Sequence, residues 1–159
     1  MKNDLKLLGY MLGKMHEYQR IHDVKDQCCT NVSYLYDILK YNTNLNVKVK
    51  SVYVLFNYDH ENKGICTGHV CLEIDGVIID PSYQYSKIKG ATYTNSFKKV
   101  IKHLQNVENV DSVTKSQILN NNLYFTKIAN QINSGECLIS CKDYYHSQAD
   151  YCQFQFKEV

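Results

Sequence analysis

A chain of 159 residues and 18.5 kDa has the length of one ordinary domain with a single core, so residues 1–159 are read as one unit. Apolar residues at 44% against 21% charged exclude a disordered chain, and no run is apolar for long enough to span a bilayer. The formal net charge is only +2 and Arg20 is the single arginine, which argues against nucleic acid as a partner, because bidentate arginine dominates phosphate and base contacts.

In chain order, Leu5, Leu8, Met11, Leu12 and Met15 recur at helical spacing and predict an amphipathic helix over residues 3–18. A second helix is expected over 27–40. The β-branched and aromatic run 51–58 (SVYVLFNY) predicts a strand. Residues 69–74 and 77–80 flank Asp75-Gly76, the strongest short hairpin signal, which implies a two-residue type I′ turn. Phe97, Val100, Ile101, Leu104 and Val107 share one face of an expected helix over 95–107. A further helix is expected over 113–132, interrupted by the polar run Asn120 to Asn122. Residues 136–141 (ECLISC) and 151–156 (YCQFQF) read as strands. Pro81 is the only proline, the seven glycines are scattered, and nothing resembles a linker. The pattern predicts an α+β fold with a largely antiparallel sheet.

The opening residues, MKNDLKLLGYMLGK, lack the continuous apolar stretch of a secretory signal. The seven cysteines are therefore expected to be thiols in a reducing compartment, and an odd number cannot all pair within one chain. The expected location is cytoplasmic: host cytoplasm, or a virion if the source is viral.

Two stretches carry candidate chemistry. Along the helix from Cys28, Val32, Leu35 and Leu39 share the stripe that must face the core. Cys28 heads that stripe, whereas Cys29 lines up with Ser33, Tyr36 and Lys40 on a more polar face. A thiol in the first turn lies near unsatisfied N–H groups and the positive end of the helix dipole, which favour the thiolate. The same N–H groups can stabilise an oxyanion. In the hairpin, the two-residue turn pairs Ile74 with Val77 and Leu72 with Ile79, and extends to pair Cys71 with Asp80. His69, Cys71 and Glu73 then share a face with Ile78 and Asp80, and Val70, Leu72 and Ile74 form the opposite, apolar face. His69 and Asp80 become diagonal neighbours about 7 Å apart at the backbone, within side-chain reach. An aspartate there can fix the histidine tautomer and favour the imidazolium.

Cys28 to Asn31 (CCTN, opening an apolar helix) and His69 to Pro81 (HVCLEIDGVIIDP) resemble the papain-like superfamily, in its transglutaminase-like and NlpC-type branch. The resemblance covers about residues 26 to 85. It implies a papain-like fold in which a helix bearing the cysteine packs on the sheet bearing histidine and aspartate. It also implies a cysteine peptidase, amidase or acyltransferase acting on a protein or peptide substrate without cofactor or metal. Cys28 would be the nucleophile, His69 the general base and then acid, and Asp80 the residue orienting His69. Two departures stand out. Cys71 occupies the position where the family often has tryptophan. His22 stands six residues before Cys28, where papain has its oxyanion-hole glutamine. His22, Gln19 and Gln27 are the remaining candidates for that donor, and Asn31 is either a helix-start residue or part of the site wall.

Three other interpretations remain at this stage. The scaffold could be a catalytically inactive interaction module. Cys66-x-x-His69 with Cys137-x-x-x-Cys141 could form a zinc site, which would compete for His69. Tyr144, Tyr145 and Tyr151 could form an aromatic binding surface or simply pack a sheet.

Overall fold

The computed structural model describes residues 2–57, 64–105 and 111–136. Helix α1 (Lys2–Ile21) and helix α2 (Cys28–Asn42) precede strands β1 (Val47–Asn57), β2 (Gly64–Ile74) and β3 (Val77–Ile79). Then come the short helix α3 (Tyr83–Ser86), strand β4 (Thr92–Thr94) and helices α4 (Phe97–Gln105) and α5 (Ser112–Asn133). The strands form an antiparallel sheet of order β3-β2-β1-β4. The fold is thus α+β. All but the first residue of the strand read at 136–141, the whole of the one at 151–156, and Tyr144, Tyr145 and Tyr151 lie outside the described residues.

The hairpin register follows from its turn. Asp75 and Gly76 both have positive φ, +50° and +82°, as a type I′ turn requires. Leu72 pairs with Ile79 and Ile74 with Val77. Strand β1 begins four residues before the apolar run that signalled it. Alternation already starts at Val47, with Lys48 and Lys50 alternating with buried Val47 and Val49. Helix α1 runs three residues past residue 18, with Tyr18 and Gln19 both buried.

One sheet face carries the main core. Val47, Val49, Val70, Leu72 and Ile74 pack with Val32, Leu35 and Leu39 of α2, Leu8, Met11 and Met15 of α1, and Ile128, Ala129 and Ile132 of α5. Each such aliphatic side chain contributes about 1.5–3 kcal/mol on burial, so the α2 stripe is what docks the helix on the sheet. The face of α2 expected to be polar is also covered: Ser33 and Tyr36 are buried. The two thiols nevertheless share a half-buried position at the helix head.

The second sheet face is closed differently. Strands β3 and β4 are opposite edges of the sheet. The chain between them must therefore cross the face that carries His69 and Cys71. Tyr85, Ala91 and Tyr93 of that crossing pack against Val52, Val54 and Cys71. Neither α3 nor β4 has a pattern long enough to read in the sequence, because each spans four residues or fewer.

Candidate active site

Asp80 follows directly on β3, which stops at Ile79 because Pro81 has no N–H for the ladder. His69 Nε2 lies 2.9 Å from Asp80 Oδ2, and His69 is completely buried. The other carboxylate oxygen accepts the Ser82 N–H at 2.9 Å, and the Tyr93 hydroxyl donates to Oδ2. The expected diagonal approach of His69 and Asp80 is thus realised as a buried pair. Tyr85 sits edge-on to the imidazole, with ring centroids 4.7 Å apart.

The end of β3 also frees a place for the cysteine. In this hairpin the N–H groups of Ile74, Leu72 and Val70 all point toward β3. Strand β3 covers the first two and ends before Val70. The Cys28 thiol lies near that N–H, which favours its thiolate. His69 Nε2 is committed to Asp80, and Nδ1 has no hydrogen-bond partner among the described residues, so Nδ1 is the atom left to exchange a proton with Cys28. Cys28, His69 and Asp80 therefore meet, although they come from three separate stretches of chain.

Electrostatics favour charge separation across the pair. The Cys29 side chain hydrogen-bonds Cys28 and, with His69 and the Val70 N–H, outweighs burial to pull the Cys28 thiol down to about 5. Burial alone would lower His69. The hydrogen bonds and charges of Asp80 and Cys28 overcome it and raise the imidazole to about 9. Between those values the pair is thiolate and imidazolium. Two thiols away from the helix start move the opposite way: burial pushes Cys66 up to about 11 and Cys71 up as well.

The helix start is open toward the sulfur. Gln27 is the N-cap of α2 and makes no side-chain capping bond. Its Oε1 instead accepts the Thr30 hydroxyl at 3.1 Å. The preceding loop is tight, with Asp23 and Asp26 at φ +50° and +59°, and Gln84 Oε1 accepts the Asp26 N–H at 2.9 Å. His22 lies at the exposed end of α1, its ring 4.2 Å from that of Tyr18. Asn31 and Gln19 are buried in a different task. Asn31 Nδ2 donates to Ser82 Oγ at 3.0 Å and to Gln19 Oε1 at 3.3 Å. Gln19 Nε2 donates to the Pro81 carbonyl at 2.7 Å, and its Oε1 accepts the Tyr83 N–H at 2.9 Å. His16 Nε2 lies 2.8 Å from the Asp80 carbonyl oxygen and donates to it. The amide of Gln19 is thus engaged with the backbone after Asp80 rather than offered at Cys28.

His16, Tyr85 and Tyr93 escaped the sequence, and Gln19 was singled out there only as an oxyanion-donor candidate, not as a clamp on the backbone after Asp80. His16 and Gln19 are three residues apart on one face of α1, beside Met15 and Tyr18 on the buried side, and that position was the available signal. The zinc pairing is overturned for Cys66 and His69. Three residues apart on one strand, they point to opposite faces. Cys66 packs with Tyr53, Leu55 and Val100, and His69 lies on the Cys71 side. Cys137 and Cys141 lie outside the described residues. Among the described residues, no group of three or more His, Cys, Asp or Glu is placed to hold a metal ion. Glu73, on the His69 face, is partly buried and lies 4.0 Å from Lys50. His103 of α4 donates to the Phe56 carbonyl at 3.0 Å. No helix of the described residues is long and apolar enough to cross a membrane. Comparison with family models, with curated proteins and with solved structures yields no match.

Proposed function

We propose that this chain is a thiol hydrolase or acyltransferase of papain-like architecture, acting at an amide, peptide or isopeptide bond of a protein or peptide. The observation that carries the reading is the meeting of the Cys28 thiol with the buried His69–Asp80 pair at an uncapped helix start. In this reading the Cys28 thiolate adds to the acyl carbon, and the developing oxyanion is met by the Cys28 N–H in the first turn of α2. The imidazolium Nδ1–H protonates the leaving amine as the C–N bond breaks, leaving a thioester on Cys28. Neutral His69 then takes a proton from water, whose oxygen attacks the thioester and releases the acid. In a transferase an amine takes the place of that water. Asp80 holds the ring in the tautomer and plane that present Nδ1 to the sulfur.

The test is the rate of alkylation at each cysteine against pH, mapped by mass spectrometry. Cys28 should label with a midpoint near 5, far below the value of about 8.5 for an ordinary thiol. Replacing His69 by alanine removes the imidazolium and should move that midpoint upward. A Cys28 midpoint near that of an ordinary thiol, unaltered by His69→Ala, would sink the reading.

The complete burial of His69 favours a second reading, in which the same scaffold binds a partner without turnover. It shares the low Cys28 midpoint. It differs in that no thioester accumulates when peptide amides or activated acyl esters are added and the acyl-protein is sought by mass.

A further inference from the structure

Asp80 Oδ2 is shared. It receives His69 Nε2 at 2.9 Å and also the Tyr93 hydroxyl. The second donor arrives from across the sheet. Tyr93 pairs with Val54 on β1, and Val52, two residues back, pairs with His69 on β2, so all four side chains stand on one face. Strand β4 flanks β1 on the side away from β2, so the Tyr93 backbone starts roughly 10 Å from β2. Only a long side chain with a terminal donor spans that gap. The Tyr93 ring crosses over Val52 and Val54 and stands 6.2 Å from the His69 ring. Burial and the neighbouring carboxylate raise the phenol, so it remains a donor.

We infer that Tyr93 is a positioning residue for His69: its hydroxyl fixes the Asp80 carboxylate and, by sharing Oδ2, limits how strongly Asp80 holds the imidazolium. This role rests on the triad reading, but a direct titration of His69 separates the two. The groups around His69 are Asp80 beyond β3, Tyr93 on β4, Tyr85 on α3, Cys28 and Cys29 on α2, and Cys71 on β2. Glu73 lies farther along β2 beside Lys50, and His16 of α1 reaches only the Asp80 carbonyl. Of these, Tyr93 alone donates to the oxygen that His69 uses.

The experiment is an NMR titration of the His69 imidazole in the full chain, in wild type, Tyr93→Phe and Tyr85→Phe. Tyr93→Phe keeps the ring and removes the donor. Oδ2 then serves His69 alone, and His69 should bind its proton more tightly, by about three-fold, with its midpoint moved upward. Tyr85→Phe removes a neighbouring hydroxyl that Asp80 does not receive and should leave the midpoint in place. If Tyr93→Phe leaves the His69 midpoint unchanged or lowers it, Tyr93 only packs. A Cys28 with ordinary alkylation behaviour would overturn the triad instead, whatever His69 does in Tyr93→Phe.

Discussion

Cys29 acts on Cys28 from the next position along the same helix. Read as a helical wheel, it belonged with the polar face and had no role. The structure makes its side-chain hydrogen bond the largest single contribution lowering the Cys28 thiol, beside a His69 that acts through both a hydrogen bond and its charge. Cys29→Ala should therefore raise the Cys28 alkylation midpoint and cut its labelling at pH 6 several-fold, while the His69–Asp80 pair remains. Unchanged labelling at pH 6 would assign the activation to His69 and the helix start alone. The doublet looks redundant in the sequence, since either thiol could head the helix. The helical wheel already favours Cys28, and the open Val70 N–H, which depends on where β3 ends, adds to that preference.

At the scale of elements, the triad is held by a buried polar lattice rather than by the hairpin alone. Gln19 of α1 and Asn31 of α2 fasten the backbone from Pro81 to Tyr83. Gln19→Leu keeps the volume but leaves the Pro81 carbonyl and the Tyr83 N–H without partners. It should cost about 2–4 kcal/mol in urea denaturation. A loss below about 1 kcal/mol would mean that water replaces the amide. Gly68, next to His69 but on the other face, is where α5 meets β2. A Cβ there would stand 2.9 Å from Asn121 Nδ2 and 3.1 Å from Phe125. Gly68→Ala should destabilise by about 1–3 kcal/mol in the same assay. The hairpin and α2 were legible because their signals are local: Asp75-Gly76 sets a register, and Val32, Leu35 and Leu39 set a face. The lattice was not, because its partners are far apart in sequence, 62 residues for Gln19 and Pro81. Strand β4 was not, because three residues carry no periodicity, and Tyr93 went unnoticed with it.

For the whole molecule, the coupled pair ties folding stability to pH in a recognisable shape. Taken singly, His69 is raised: it stabilises fully below its unfolded value of about 6.5 and loses that contribution as pH rises through about 9. Cys28 is lowered: it stabilises above its unfolded value of about 8.5 and loses that contribution as pH falls through about 5. Between about 6.5 and 8.5, folded thiolate–imidazolium and unfolded thiol plus imidazole each hold one proton, so the pair adds no slope there. From about 6.5 down to 5 the unfolded chain binds one proton more, and stability falls. Cys28→Ala changes the sign of this pattern. His69 keeps its proton through Asp80, the acid-side loss from this pair disappears, and stability now declines as pH rises above about 6.5. Denaturant midpoints for both proteins from pH 5 to 9 decide the matter. A wild-type plateau replaced by a decline in Cys28→Ala is the expected result. Parallel curves would mean that Cys28 and His69 do not exchange a proton in the folded chain.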